Sequence, residues 1–152
     1  MAGRPPARVP LGDWRMPGGP APPYRDASMN ITGVDFITVP TTDFERASAF
    51  YGEVLGLPCS ARWGNMPAAE FETGTLTIAV MQSDAFGIEF ERHSHPIALH
   101  VEDVAAAREE LEGQGIAFRG DTLDSGVCHM AHFADPDGNS LMFHHRYAPK
   151  NR

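Results

Sequence analysis

Residues 33–57 read GVDFITVPTTDFERASAFYGEVLGL, a strand-like run followed at once by a helix-like one. Val34, Ile37 and Val39 mark an apolar strand bounded by Pro40. Thr42-Asp43-Phe44-Glu45 then matches a capping box, in which a hydroxyl and a carboxylate satisfy the free N–H groups of a helix start. Phe44, Ala47, Phe50, Tyr51 and Leu55 recur at helical spacing, and Gly56 is placed to end the helix.

Downstream, AAEFET (68–73) and LTIAVM (76–81) read as two short strands joined at Thr73-Gly74-Thr75. The pattern then repeats. PIALHV (96–101) alternates like a half-buried strand, and EDVAAAREELEGQGI (102–116) reads as a helix ended by Gly113 and Gly115. CHMAHFA (128–134) and SLMFHHRY (140–147) are strands flanking an Asp135-Pro136-Asp137-Gly138 turn, where proline presets φ and glycine frees it. Two β-α-β-β-β units result, module one over about 31–83 and module two over about 95–147, within a domain spanning 29–148. An offset of about 60 residues sets Ile37-Thr38-Val39 against Leu99-His100-Val101, and Glu70-Phe71 against His132-Phe133. The expected fold is α+β: each sheet buries one face against helices and curves its other face around a cavity.

Composition narrows the partners. A chain of 152 residues, 42% hydrophobic, is long enough for one buried core. A net charge of −8 with a single lysine, Lys150, argues against nucleic acid and against an anionic membrane. Two cysteines, Cys59 and Cys128, form no CxxC and no disulfide framework, which suits a reducing, cytoplasmic setting. There is no apolar run near 18 residues and no export signal. Residues 1–28 are rich in Pro, Gly and Arg without apolar periodicity, so they are expected to form a flexible arm. The alternative is that Trp14 and Tyr24 dock this arm on a partner subunit.

The stretches GVDFITVPTTDFERASAFYGEVLGL, PIALHVEDVAAAREELEGQGI and FADPDGNSLMF together resemble the vicinal oxygen chelate superfamily. Its members include glyoxalase I, bleomycin-resistance proteins, fosfomycin-resistance enzymes and extradiol dioxygenases. The resemblance implies paired βαβββ modules forming a curved, barrel-like trough with helices outside, in a homodimer. It also implies where metal-dependent members place their ligands: at Phe36, Pro96, Met142 and Thr77 in this chain. None of these is a good donor for a divalent metal.

If Met142 faces the trough, alternation along the strands turns His144, His100, His132, Met130 and Cys128 the same way. The pseudo-symmetric positions add Phe36, Thr38, Glu70, Thr77 and Met81. The expected binding residues are therefore Phe36, Thr38, Glu70, His100, Met130, Met142 and His144, with His132 as a candidate base. The usual metal positions being vacated, no cofactor is expected. The alternative is a relocated Zn, Fe, Mn or Ni site built from His100, His144 and Glu70. A bulge at Pro96 is a further route, since it would turn His95 inward. His129 and His145 read as structural, and His93 and His95 as loop residues.

The function expected on this reading is capture of a small polar or aromatic molecule, with Phe36, Trp63, Phe86 and Phe90 available for stacking. Two alternatives stand beside it: a metal-dependent lyase, isomerase or dioxygenase, and a module that assembles with a partner protein through its arm.

Overall fold

A computed structural model describes residues 30–150; the 1–28 arm lies outside the described residues. The first unit runs β1 (Phe36–Thr41), α1 (Phe44–Ala49) continued by a π-helical turn (Phe50–Val54), β2 (Cys59–Arg62), β3 (Ala68–Glu72) and β4 (Thr77–Gln82). A 3₁₀ turn (Ser83–Phe86) and an extended connection lead to the second unit. That unit runs β5 (Ile97–His100), α2 (Val104–Gly113), β6 (Arg119–Asp124), β7 (Cys128–Ala134) and β8 (Ser140–Arg146). Each unit makes its own four-stranded sheet, ordered β1-β4-β3-β2 and β5-β8-β7-β6. The fold is the expected α+β pair of βαβββ modules, with open curved sheets rather than a closed barrel.

Local chemistry explains the elements and corrects several boundaries. The N-cap of α1 is Asp43, not Thr42: its Oδ1 accepts from the Arg46 N–H at 3.1 Å. Thr42 is instead drawn away to Asp137. Asp103 caps α2 in the same manner, accepting from Ala106 at 3.0 Å. Replacing Asp43 with alanine leaves that N–H without its carboxylate and is expected to lower stability by about 1 kcal/mol, measured by urea unfolding. Pro40 does not end β1 but sits inside it, because β1 is an edge strand and can spare one donor. Gly56, at φ 67°, adopts the left-handed turn expected at the helix end.

Apolar residues of both sheets and both helices meet in one core. Val39, Phe44, Phe50, Tyr51, Phe71, Ile78 and Val80 of the first unit cluster with Val104, Leu111, Phe133, Leu141 and Phe143 of the second. Tyr51 leans on Phe71 at 6.0 Å, and Phe133 on Phe143 at 4.8 Å. Gly52 is what lets the π turn lie so near the sheet: a Cβ there would meet the Phe71 ring at 3.3 Å.

The Asp-Pro-Asp-Gly-Asn turn between β7 and β8 is more than a hairpin, because it locks the two units together. Asp137 accepts from the Thr41 and Thr42 hydroxyls, both at 2.5 Å, from the Thr42 N–H at 2.9 Å and from Arg46 at 3.3 Å. Asp135 accepts from the Tyr51 hydroxyl at 2.9 Å, and Asn139 Nδ2 donates to the Pro40 carbonyl at 2.8 Å. Gly138, at φ 85°, supplies the backbone turn that brings these groups together.

Candidate functional site

The strand ladders place the expected residues in rows on each sheet's open face, opposite the core. In the first sheet Thr38, Ala79 and Glu70 lie side by side, with Phe36, Thr77 and Glu72 in the adjacent row. In the second sheet Ala98, Met142, His132 and Arg119 share a row, and His100, His144, Met130 and Leu123 share the next. The alternation argument thus assigns Phe36, Thr38, Glu70, Met130, Met142, His132 and His144 to open faces. His132 and His144 sit diagonally on neighbouring strands, a spacing of about 7–8 Å between backbones.

The correspondence between units needs correction by two residues in the first strands. Asp43 and Asp103 are equivalent caps, so Val39 matches Leu99 and Thr38 matches Ala98, not His100. The ladders then equate Ala79 with Met142, and Glu70 with His132 as expected. The first-unit counterpart of Met142 is accordingly Ala79 rather than Thr77. Phe36, Ala79, Pro96 and Met142 offer no hard donor, so the superfamily's usual divalent metal does not fit these residues. His95 is exposed, with Ser94 Oγ 3.4 Å from its Nδ1, and it does not reopen the position.

Within one chain the expected residues are divided between the two sheets. The two sheets share no ladder, and Glu70 lies on one while His100, His132 and His144 lie on the other. Glu70 instead holds Trp63, accepting from the indole N–H at 2.8 Å. Around that pair the first sheet gathers an aromatic group: Phe36 meets Trp63 edge-to-face at 6.2 Å, and Trp63 meets Phe86 at 6.1 Å. Phe36 is 44% exposed. A pocket of 240 Å³ is bounded by Thr38, Met81, Phe86 and the connection from Ile88 to His93.

His100 leaves its row. It ends the edge strand β5, and its ring lies 5.7 Å from that of His145, with Nε2 3.1 Å from Glu102 Oε1. Among the described residues, the relocated set His100, His144 and Glu70 is not assembled. His100, Glu102 and His145 are assembled, their ligand atoms all within 4.8 Å of one another. Glu102 was missed in the sequence because it reads as the start of a helix. The His129 ring lies tilted against that of Tyr147, centroids 4.8 Å apart, and its Nε2 is 3.6 Å from Asp124 Oδ2. Cys128 is buried and Cys59 exposed, and both are free thiols.

One further space lies between the modules. A 480 Å³ cavity is walled by Leu55, Leu57, Leu76, Ile97, Leu99 and Leu111 among others, with His100 at its edge. The Thr73–Leu76 connection borders it, and this is the first-unit equivalent of the 135–139 turn. Thr73-Gly74-Thr75-Leu76 carries no carboxylate, unlike that turn.

Two βαβββ modules, each with its own four-stranded sheet, define an architecture shared by a known superfamily. Residues 33–143 match the model of the Glyoxalase/Bleomycin resistance protein/Dioxygenase superfamily, and the chain belongs to that family. No match was found among curated proteins. Among solved structures, a lactoylglutathione lyase from Agrobacterium tumefaciens is similar at 15% identity and TM-score 0.65, over 76% of this chain and 94% of that one. A glyoxalase/bleomycin resistance protein/dioxygenase from Nocardioides is similar at 20% identity and TM-score 0.64, over 82% and 93%. The antibiotic binding protein TnmS3 from a Streptomyces species is similar at 24% identity and TM-score 0.64, over 76% and 96%. At these identities the likeness concerns the fold. Among the described residues no helix is long and apolar enough to cross a membrane.

Proposed function

We propose that this protein captures a small, planar aromatic molecule on the open faces of its sheets, without a metal at the superfamily's usual positions. The observation that carries this reading is the convergence of Phe36, Trp63 and Phe86, from three separate segments, around Glu70. Edge-to-face aromatic surfaces with a carboxylate beside them suit a flat ligand bearing positive charge. Phe90 is not a member of this ring group. The antibiotic binding by TnmS3, a protein of the same fold, is consistent with such a use.

In this reading the functional unit is a homodimer. β1 and β5 are both unpaired sheet edges, and an edge strand is a ready site for another chain. A second copy that brings its β5 beside β1 would join Phe36, Thr38 and Glu70 to Met130, His132, Met142 and His144 of the other subunit in one trough. Those histidines then supply polar contacts to the ligand, with His132 the group placed to accept a proton. Unpaired thiols at Cys59 and Cys128 suit a cytoplasmic setting.

The test is a thermal-shift and tryptophan-quenching screen against planar aromatic antibiotics, cationic and neutral, with bleomycin among them. Cationic members are expected to bind, and Trp63→Ala to weaken binding roughly 5- to 150-fold, since aromatic stacking contributes roughly 1–3 kcal/mol. Light scattering should give the mass of two chains. Equal binding by wild type and Trp63→Ala would sink the reading.

A further inference from the structure

We propose that His100, Glu102 and His145 form a site for a divalent transition metal, zinc by its preferred chemistry. The site lies at the C-terminal end of edge strand β5, away from the open-face rows and away from the superfamily's usual ligand positions. It does not rest on the ligand-capture reading, because it uses none of the aromatic group on the first sheet.

The argument starts from His145. Its Nδ1 lies 3.1 Å from the Val101 carbonyl oxygen. A carbonyl only accepts, so Nδ1 carries the proton and donates it, and Nε2 keeps its lone pair. That is the arrangement by which backbone carbonyls orient metal-binding imidazoles. His100 and Glu102 approach from the other side. His100 ends β5, and Glu102 lies in the bend between β5 and α2, where the chain turns back so that its carboxylate meets the His100 ring.

Distances agree with a shared ion. With Zn–N and Zn–O near 2.0–2.1 Å and tetrahedral angles, two ligand atoms sit roughly 3.3 Å apart and two imidazole centroids roughly 5 Å apart. Here His100 Nε2 and Glu102 Oε1 are 3.1 Å apart, and the two ring centroids are 5.7 Å apart. The three ligand atoms lie within 4.8 Å of one another, so small side-chain rotations complete the set. The His100 and Glu102 side chains are 64% and 89% exposed, so those rotations meet little resistance and the ion has direct access from solvent. Three protein ligands leave a coordination position vacant, as in catalytic rather than structural zinc sites. His100 also lines the 480 Å³ inter-module cavity, which places that chemistry at the edge of an apolar space.

The deciding experiment is titration of the full chain, untagged, with zinc chloride by calorimetry, together with metal analysis after desalting. One zinc per chain is expected. His100→Ala and His145→Ala should each weaken binding by at least about 100-fold, beyond the 10–100-fold typical of outer partners. His129→Ala, which removes an exposed imidazole beside a different carboxylate, should bind as wild type does, and so should Trp63→Ala. Far-ultraviolet circular dichroism and the unfolding midpoint without metal should be the same for His100→Ala as for wild type, which separates lost ligation from lost fold. Absence of stoichiometric zinc binding, or binding that survives both His100→Ala and His145→Ala, overturns the proposal.

Discussion

Asp135→Ala is expected to lower stability by about 4 kcal/mol, the larger of the two effects expected at the inter-module turn. Asp135 is 5% exposed, and both its oxygens are fully used. Oδ2 accepts from the Tyr51 hydroxyl at 2.9 Å and from Asn139 Nδ2 at 2.7 Å; Oδ1 accepts from the backbone N–H of Asp137 at 3.0 Å and of Asn139 at 2.9 Å. Tyr51 and Asn139 are both fully buried, so the donors left behind cannot turn to bulk water. Each unsatisfied buried group costs about 1–3 kcal/mol, and a water entering the vacated space recovers part of the total. Burial, and secondarily the Asp135 carboxylate, pushes the Tyr51 phenol well above its ordinary pKa, so it stays a donor at any pH in use. Tyr51→Phe should cost less, about 1–1.5 kcal/mol, because Asp135 keeps its other donors. Urea unfolding of the two single variants and the double variant gives the coupling between them. A loss under about 1 kcal/mol for Asp135→Ala would mean that the turn is not the clamp between modules.

The elements that bury a side chain were legible in the sequence, and those that do not were not. β1, β3, β4, β5, β7 and β8 alternate because one face meets the core, and alternation is what a reader can see. β2 and β6 are edge strands, and every residue of β6 is exposed. Without a buried face, RGDTLD carries no alternation and looks like a loop. Alternation also fixes the face of a residue but not its register. That is why Thr38 was matched to His100 two positions too far along, although its face was assigned correctly. The N-caps resolve the register, since Asp43 and Asp103 each bond the N–H three residues on.

The site shows the same division. Which residues line the open faces followed from parity, and the ladders bear that out for Phe36, Glu70, His132, Met142 and His144. Parity failed at His100 because a side chain at the end of an edge strand has no flanking neighbour on its outer side to hold it upright. It is free to fold round toward Glu102 and His145. Nor does a single sheet's pattern reveal that two sheets of one chain share a core. The relation of Glu70 to the histidines is a tertiary fact, set by a core shared between the two units and by a turn that reaches across ninety-odd residues of sequence to Thr41.

That turn also sets how the protein meets acid. Burial alone would raise the Asp137 pKa, but hydrogen bonds from the Thr41 and Thr42 hydroxyls and the Thr42 N–H, with the Arg46 guanidinium nearby, hold it below the usual carboxylate range. A carboxylate whose folded pKa is depressed contributes stability that is fully present above its unfolded value and lost as pH falls through the folded one. The contribution of Asp137 is therefore constant at neutral pH and declines only below about pH 4. Its side chain is 1% exposed while Arg46 is half-exposed, so the threonine bonds carry more than the ion pair. Asp137→Ala should lower stability at pH 7 by about 3 kcal/mol, given roughly 1.5–3 kcal/mol for a hydrogen bond to a charged group and some rescue by water. Asp137→Asn should start lower than wild type at pH 7 and lose less on acidification, so the two stability curves converge below about pH 4. Urea midpoints taken from pH 7 to pH 2.5 read this directly, and parallel acid limbs would show that Asp137 does not carry the charge. Because the clamp joins the module bearing Phe36 and Trp63 to the module bearing His132 and His144, loosening it by acid should also loosen the spacing between the two troughs of the proposed dimer. On the proposed ligand-capture reading, affinity is then expected to fall in Asp137→Ala at neutral pH although Asp137 is not among the proposed ligand-binding residues.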